Sequence, residues 1–413
     1  MARILLHTLV FAPDGVSTAY LMNDIARQLN RLGHSVTVLT TTPHYNLDES
    51  TLRRQPLERV WPGLLYKSRF DGIAVWHVKM PAKGQRTTGR FLDFMRFHAV
   101  SLLAGLMVTE RFDIVIAPSP PLTIGVISWL MAMRYKAPSV YNVQEIYPDF
   151  AINQGMLDSP AMIRLMRGIE QLVYKKSAFI VPISEWFART IKERGVPREK
   201  LVVIPNFVDT ELYRPMPRRN AFSEKHGLND DFVVLYGGNI GLSQDWESLL
   251  FAARELDSLP IKFVIVGDGA RGQWLKDEIS KLAVKNVLLL GYHSREQMPL
   301  INASSDIGTI PMKATTTSDT FPSKIYTIMA CAKPAIVSAD EDSELSHIIH
   351  ESRCGRVVPP DDPRAYTDAV LSAYEQREAL PAEGENGRAY VDRRYSKEAI
   401  AEQYDELVRR AVA

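Results

Sequence analysis

The sequence is poor in cysteine, nearly balanced in charge and without a long uninterrupted hydrophobic run. Cys331 and Cys354 are its only cysteines, too few for a disulfide framework or a four-ligand zinc site, and they favour a reducing compartment. The formal net charge of +1 gives no reason to expect nucleic acid as a partner. The longest apolar stretch, residues 91–109, is interrupted by Asp93 and Arg96, so we predict a cytoplasmic protein without a transmembrane helix.

Two further absences narrow the class of protein. The chain lacks a G-x-G-x-x-G fingerprint, which disfavours a nicotinamide oxidoreductase. Residues 1–11 contain one arginine and a short apolar run, but Pro13-Asp14-Gly15 follows almost directly and no small-residue cleavage site is present. We therefore predict a first β-strand there rather than a signal peptide.

Short apolar runs alternate with helical patterns along the whole chain, which is typical of doubly wound α/β domains with parallel sheets. A length of 413 residues suggests two domains of about 200 residues each. Prolines and a loss of periodicity near residues 206–220 predict the linker. We expect one domain over residues 1–206, a second over 207–395 and a C-terminal helix over 396–413, which the composition allows to pack on either domain. The predicted strands are residues 3–10, 36–41, 74–78, 114–117, 139–143, 179–183 and 202–205, then 232–236, 261–266, 287–290, 307–311, 335–338 and 355–358.

Two glycine-containing loops follow predicted strands, where open α/β sheets bind their ligands. Gly15 follows the first strand and would let backbone amides approach a phosphate or sugar closely; a plain tight turn is the alternative. In the second half, Gly237-Gly238-Asn239-Ile240-Gly241 connects a strand to a helix. We predict an anion-binding turn there, with Gly238, Asn239 and Gly241 as its contacts.

The segment Asp319-Thr320-Phe321-Pro322-Ser323-Lys324 precedes a predicted helix. Pro322 suits a first helical turn and Ser323 suits a cap, so the helix would present free N–H groups beside Lys324. Such an arrangement holds a diphosphate, and Asp319 can accept hydrogen bonds from sugar hydroxyls. An ordinary capped helix with a solvated lysine is the alternative.

Asp340-Glu341-Asp342 matches a D-x-D metal pattern. It leads into a predicted helix at Ser343, however, and acidic residues stabilise the positive end of a helix dipole. We therefore expect a helix start, no metal site and no bound cofactor.

The second half resembles the donor domain of the family 4 retaining glycosyltransferases, which have the GT-B fold: two doubly wound Rossmann-like domains facing a central cleft. The family's E-x7-E element maps onto Asp319 and Thr327, so its first acid is shortened and its second is lost. The resemblance implies that Lys324, Ile325 and Thr327 contact the donor. Leu242-Ser243-Gln244-Asp245 replaces a basic pair common in the family, which leaves more of the diphosphate charge to Lys324.

The first half is similar to the same family. The stretch Val143-Gln144-Glu145-Ile146-Tyr147-Pro148-Asp149 resembles a subgroup that makes bacterial surface polysaccharides, such as fucosamine and colanic-acid-type transferases, although many relatives have histidine in place of Gln144. The resemblance implies an N-terminal acceptor-binding domain in which the acceptor passes Gly15, Gln144 and Glu145. Glu145 acts there either as a base or as a residue that orients the acceptor.

The resemblance implies transfer of a sugar, of hexosyl type, from a nucleoside diphosphate donor to a hydroxyl, with retention at the anomeric carbon. Asp319, Gln144 and Glu145 are the expected catalytic residues, the nucleotide sugar is a co-substrate, and a lipid-linked saccharide is the expected acceptor. A sugar-nucleotide epimerase of similar fold and an inactive nucleotide-sugar-binding protein remain alternatives. The missing second acid and basic pair favour the inactive protein.

The charge is uneven along the first half. Residues 53–96 contain ten Lys or Arg against three Asp or Glu, an excess of seven positive charges. Within this stretch, residues 79–96 are basic and adjoin the apolar run up to Val108. Such a segment fits a peripheral position on the inner face of the membrane; a solvated loop before a buried helix is the alternative.

Overall fold

The computed structural model describes residues 1–44, 49–61, 63–80, 90–107, 110–316 and 321–413, without the side chains of residues 49–51 and 90–92. The predicted sugar-binding residue Asp319 lies outside the described residues, as do residues 81–89 of the basic segment. The chain forms two units: residues 1–206 together with 397–413, and residues 207–396. Among the described residues, no helix combines the length and apolar composition that a membrane span requires.

Unit 1 contains an eight-stranded mixed sheet. Its strands are added first on one side of β1 and then on the other, so the connecting helices lie on both faces. Its order is β3-β4-β5-β2-β1-β6-β7-β8, with β3, β4 and β5 antiparallel and the other pairs parallel. The strands are β1 (Arg3–His7), β2 (Ser35–Thr41), β3 (Glu58–Trp61), β4 (Leu65–Phe70), β5 (Ile73–Val78), β6 (Ile114–Pro118), β7 (Ser139–Val143) and β8 (Phe179–Pro182).

The sequence pattern missed β3 and β4 and wrongly predicted a strand over residues 202–205. Every residue of β3 is exposed, so no alternation of apolar and polar side chains marks it. In residues 202–205, the N–H groups of Val202 and Ile204 donate to β8, at 3.0 and 3.1 Å. Pro205 has no N–H to continue this ladder, so the pairing ends there.

The helices of unit 1 cover its parallel strands. Helices α3, α4 and α6 pack side by side in that order, while α1 packs against the last helix of the chain. They are α1 (Ser17–Arg31), α2 (Glu49–Arg54), α3 (Arg90–Met107), α4 (Ile124–Tyr135), α5 (Asp149–Asn153), α6 (Pro160–Lys176) and α7 (Glu185–Glu193).

Unit 2 contains a six-stranded parallel sheet in the order β11-β10-β9-β12-β13-β14. The side chains of β9 alternate between two buried apolar clusters, as expected for a strand covered on both faces. One cluster contains Phe232, Val234 and Tyr236, and the other contains Val233 and Leu235. The strands are β9 (Phe232–Gly237), β10 (Ile261–Val266), β11 (Val287–Leu290), β12 (Ile307–Pro311), β13 (Ala335–Ser338) and β14 (Gly355–Val358). The helices are α8 (Ala221–Lys225), α9 (Trp246–Glu255), α10 (Gly272–Leu282), α11 (Met298–Ala303), α12 (Lys324–Ala330), α13 (Glu344–Ser352), α14 (Pro363–Glu375) and α15 (Leu380–Arg394). The prediction of two doubly wound α/β domains is confirmed.

The last helix, α16 (Lys397–Val412), belongs to unit 1. His34, in the turn after α1, has Nε2 2.7 Å from Asp405 Oδ1, and its Nδ1 accepts from the N–H of Ala2 at 3.1 Å. The buried His34 ring thus connects α16 to both α1 and the start of β1. These contacts place α16 on unit 1, whereas the composition of the helix allowed either domain.

Candidate functional site

The strand order of unit 2 locates one candidate site. β9 and β12 are neighbours in the sheet, and the chain continues from β9 to β10 on one side but from β12 to β13 on the other. Ligands of open α/β sheets bind at such a point, outside the carboxyl ends of the strands. The loop after β9, residues 238–245, and the segment leading from β12 into α12 both start there.

The glycine loop after β9 is held largely by its own backbone. The N–H of Gly238 donates to Val266 O at 2.8 Å, that of Ile240 to Asp268 O at 2.9 Å, and that of Gly241 to Gln244 Oε1 at 2.9 Å. Of the N–H groups in residues 238–241, only that of Asn239 has no acceptor among the described residues. The predicted nest of free amides is therefore smaller than the sequence suggested.

The glycines of the next loop support this one. A Cβ on Gly267, which has φ of +152°, would lie 1.8 Å from Gly238 O. A Cβ on Gly269 would lie 2.4 Å from Ile240 O. The loop Gly267-Asp268-Gly269 thus lets two loops pack backbone against backbone.

Lys324 lies against the glycine loop. A Cβ on Gly238 would be 2.3 Å from Lys324 Cε and 3.2 Å from Nζ, so only glycine leaves room for this side chain. Nζ donates to Tyr236 Oη at 2.8 Å and lies 4.7 Å from the centre of the same ring, and Tyr236 Oη donates to Asn239 O at 2.5 Å. Burial lowers the pKa of Lys324 to about 8, since no carboxylate pairs with it among the described residues. The structure thus brings Gly238, Asn239 and Lys324 together.

The start of α12 differs from the expectation. Ser323 does not cap the helix with its side chain. The N–H groups of Ile325 and Tyr326 donate to Pro322 O and Ser323 O, both at 3.1 Å, so these two of the predicted free N–H groups are occupied. The side chain of Ile325, a predicted donor contact, is buried in the core. With two N–H groups occupied, the Lys324 ammonium is the main positive group at this helix start.

Thr327 lies one turn into α12, where the family pattern has its second acid. Its Oγ1 donates to Lys324 O at 2.8 Å, a common bond for threonine inside a helix. The hydroxyl oxygen can still accept one hydrogen bond, but it carries no charge.

In unit 1, buried side chains tie the loop after β1 to the segment after β2 and to α1. Asp14 Oδ1 accepts from the N–H of His44 at 2.7 Å, and Asn23 Oδ1 accepts from the N–H of Ala12 at 2.8 Å. Gly15 follows directly and precedes α1. These hydrogen bonds therefore fix the position of the predicted Gly15 loop at the carboxyl end of β1.

Gln144, directly after β7, belongs to a chain of amide hydrogen bonds. Its Nε2 donates to Asn142 Oδ1 at 2.7 Å, and its Oε1 accepts from Asn206 Nδ2 at 2.8 Å. Asn142 Nδ2 in turn donates to Val181 O at 2.9 Å. Both ends of the Gln144 amide are therefore engaged, which fixes its orientation.

Glu145 is the unusual acid of this unit. No described residue forms an ion pair or hydrogen bond with its carboxyl group, and burial raises its pKa from 4.5 to about 7. An acid with a pKa near neutrality can accept or donate a proton at working pH. The side chain is thus suited to the role of base or of acceptor-orienting residue.

An ion-pair cluster that sequence reasoning missed holds the segment after Glu145. Asp149 pairs with Arg167 at 2.6 Å and with Arg194, which also pairs with Glu170. Glu170 is buried, and this burial raises its pKa despite the nearby Arg194. Of these residues, only Asp149 belongs to the polysaccharide-type motif. The sequence did not indicate the cluster because the partners of Asp149 lie in later segments of the chain.

Comparison with known proteins identifies the family. Residues 18–206 match the family described as glycosyl transferase 4-like domain, and residues 218–390 match glycosyl transferases group 1. The chain is a family 4 glycosyltransferase of the GT-B fold.

This glycosyltransferase is similar to curated and solved proteins over three quarters or more of its length. It is 22% identical to WcaI of Escherichia coli, named for colanic acid biosynthesis, over 97% of this chain and 98% of the relative. It is 23% identical to alpha-galactosylglucosyldiacylglycerol synthase of Streptococcus pneumoniae, over 77% of this chain and 83% of the relative. The structure of Anabaena HepE in complex with UDP and glucose matches with a TM-score of 0.74 and 18% identity, over 99% of this chain and 100% of the other.

Other polar groups of the glycosyltransferase have structural rather than catalytic roles. Ser343 caps α13 by accepting from the N–H of Ser346 at 3.2 Å, directly after the D-x-D pattern. His7 is fully buried, with Nδ1 2.8 Å from Ser128 Oγ, and this burial lowers its pKa to about 3. Burial raises the pKa of Cys331 to about 12, so its thiol stays protonated at neutral pH. Within the described residues, no group of three or more His, Cys, Asp or Glu is placed to hold a metal ion.

A cavity of about 590 Å³ lies elsewhere in unit 2. Phe232, Pro260, Asp306 and Pro334, which line it, stand at or just before the starts of β9, β10, β12 and β13. The cavity is therefore at the amino edge of the sheet, opposite the glycine loop. Because doubly wound sheets bind ligands at the carboxyl edge, we do not assign the donor to it.

Proposed function

We propose that this glycosyltransferase transfers a sugar from a nucleoside diphosphate donor to an acceptor hydroxyl, with retention at the anomeric carbon. The observation that carries the proposal is the Lys324 ammonium, which lies against Gly238 at the carboxyl edge of unit 2, where open α/β sheets bind nucleotides. The complex of the similar HepE with UDP and glucose supports the same donor class.

On the donor side, Lys324 neutralises the departing diphosphate. Positive charge aimed at a leaving group acts more strongly in a site with little water. The free N–H of Asn239 adds one hydrogen bond, and Gly238 and Gly241 allow the loop to approach the diphosphate. Thr327 accepts one hydrogen bond from the donor, and Asp319 remains the proposed contact to its sugar hydroxyls.

In the transfer step, the acceptor oxygen forms a bond to the anomeric carbon as the bond from that carbon to the diphosphate oxygen breaks. The diphosphate keeps the electron pair of the broken bond. Retention requires that the acceptor attacks from the face that the diphosphate leaves. The acceptor proton passes to the departing oxygen or to the ionised form of Glu145.

On the acceptor side, we propose that Gly15, Gln144 and Glu145 contact the acceptor saccharide. The fixed Gln144 amide and the nearly neutral Glu145 carboxyl both suit hydrogen bonding to hydroxyls. The relatives named for colanic acid biosynthesis and for a diacylglycerol glycolipid support surface polysaccharide or glycolipid synthesis. We therefore propose a lipid-linked saccharide as acceptor, used at the inner membrane surface.

The test combines a binding screen with product analysis. Ligands that bind only the folded state raise the apparent stability, so a thermal-shift panel of nucleotide sugars should identify the donor. Incubation of that donor with lipid-linked saccharides should give a product whose anomeric configuration, read by NMR, equals that of the donor. An inverted product would disprove retention.

One observation favours an inactive binding protein, namely Thr327 in place of an acid. A nucleotide sugar that raises the melting temperature, yet is not consumed with any lipid-linked or soluble saccharide, would support that alternative. Conversion of the nucleotide sugar without any acceptor would indicate an epimerase.

A further inference from the structure

Helix α3 turns an apolar stripe toward solvent. Met95, Ala99, Leu103 and Leu106 are exposed, and their spacing places them on one face of the helix. Met107 at its end is 61% exposed. A helix of 18 residues is about 27 Å long, so the stripe is extended.

The two neighbouring helices continue this surface. On α4, Met133 is 58% exposed and Leu130 is half-buried. On α6, Leu165 is 56% exposed, and Met162 and Leu172 are exposed as well. Because α4 packs between α3 and α6, we treat the outward residues of these helices as one surface, called here the three-helix face.

The three-helix face is held by close packing. A Cβ on Gly105 of α3 would lie 2.1 Å from Sδ of Met131 on α4. A Cβ on Gly125 of α4 would lie 2.6 Å from Cγ1 of Val173 on α6. Two glycines therefore allow the helices to approach closely, and the face is formed without a ligand.

The exposed charges among the described side chains of these helices are all positive. Among their described side chains, the acids are withdrawn: Asp93 is half-buried, and Glu170 is buried in its ion pair with Arg194. The exposed charged side chains are all basic, namely Arg96, Arg134, Arg164, Lys175 and Lys176.

We propose that the three-helix face docks on an anionic lipid bilayer. Exposed Met and Leu side chains enter the boundary between headgroups and acyl chains, while the basic side chains meet lipid phosphates. Two-fold pairing with a second copy would bring Arg164, Lys175 and Lys176 against the same cationic patch, which opposes it. The inference rests on the proposed function, because a lipid-linked acceptor requires the enzyme at a membrane.

The test is co-flotation with vesicles of phosphatidylcholine containing about 30 mol% phosphatidylglycerol, against phosphatidylcholine alone. No sugar donor is present, so the result does not depend on transfer activity. Wild type should float with the anionic vesicles, less so at high salt. The double variant Leu103→Glu/Leu165→Glu should lower the bound fraction at least roughly tenfold, because charge opposes entry into the acyl boundary. Leu32→Glu, an exposed position at the end of α1, is the matched control and should bind as wild type.

A wild type that ignores anionic vesicles at low salt, or a double variant that binds as wild type does, would overturn the proposal. Thermal unfolding checks that the variants fold, and Leu103→Ser/Leu165→Ser replaces the glutamate pair if they do not. Sedimentation without vesicles tests whether the three-helix face instead binds a second copy of the chain. A dimer in wild type that is absent in the double variant would show that the face is a self-interface and that the proposal is wrong. Failure of vesicle binding with intact transfer to a soluble acceptor would leave the proposed function standing.

Discussion

Two ionisable side chains of this glycosyltransferase have pKa values moved toward neutrality by burial. The pKa of Lys324 falls to about 8, and that of Glu145 rises to about 7. In each case the described residues supply no opposite charge, so the cost of removing water from the charged form is uncompensated. Ionisable groups left in this state are frequent at sites that bind charged or reacting ligands.

Replacing Lys324 by methionine should lower kcat/KM at least roughly tenfold. A charge-assisted hydrogen bond contributes about 1.5–3 kcal/mol, and one decade corresponds to about 1.36 kcal/mol. Calorimetry with the free nucleoside diphosphate should show a similar loss of affinity. Lys281→Met, which removes an exposed lysine of α10, is the control and should leave both values unchanged. Near-normal values in Lys324→Met would show that the donor site is misplaced.

The affinity for the diphosphate should also depend on pH through Lys324. The ammonium of the free enzyme loses its proton as the pH rises through about 8, so the affinity should fall above that pH. A bound diphosphate raises the pKa of Lys324 again, and binding near pH 8 should therefore take up protons. Calorimetry in buffers of different ionisation enthalpy measures this uptake. An equal uptake in Lys324→Met would assign it to another group.

Glu145→Gln should separate stability from activity. The folded protein holds the Glu145 proton up to about pH 7, whereas the unfolded chain releases it near pH 4.5. The contribution of this carboxyl group to stability therefore falls as the pH rises through that interval. The variant should be more stable than wild type near pH 8, equal to it near pH 4.5, and less active. A melting-temperature difference that is the same at both pH values would contradict this.

At the scale of structural elements, the candidate donor site depends on contacts between loops. The loop after β9 takes its shape from hydrogen bonds to the loop after β10, and glycines on both sides permit the approach. The start of α12 contributes Lys324 and little free backbone. A helix end whose N–H groups are already bonded has less to offer an anion than the sequence pattern suggests.

Gly267→Ala should disturb the donor loop without removing any ligand contact. The added Cβ would lie 1.8 Å from Gly238 O, so the two loops must separate. Forced overpacking of this kind costs about 1–3 kcal/mol. Denaturant unfolding should show that loss, and calorimetry should show weaker diphosphate binding. Gly168→Ala, at an exposed helical position with no atom near the added Cβ, is the matched control and should stabilise by about 0.5–1 kcal/mol. Equal effects of both substitutions would refute the loop-contact argument.

At the scale of the whole molecule, we expect turnover to survive a chelator. The D-x-D pattern precedes a capped helix, and no metal-binding group occurs among the described side chains. The Lys324 ammonium, rather than a cation, would then stabilise the leaving diphosphate. Steady-state rates with and without EDTA test this. Loss of activity that Mg²⁺ or Mn²⁺ restores would make the enzyme metal-dependent.

The sequence by itself determined the two α/β domains and every strand of unit 2. The strands appear as short apolar runs because the four central ones, β9, β10, β12 and β13, are buried on both faces. The glycine loop and Lys324 stand next to them. The exposed strand β3 had no such pattern and was missed.

Only the tertiary structure decided which groups meet. The hydrogen bond from Lys324 to Tyr236 spans 88 positions in the sequence, and the pair of His34 with Asp405 spans 371. No local pattern records such contacts, because they arise when separate elements pack on one core. The same holds for the raised pKa of Glu145, which depends on how much water the folded chain removes around it.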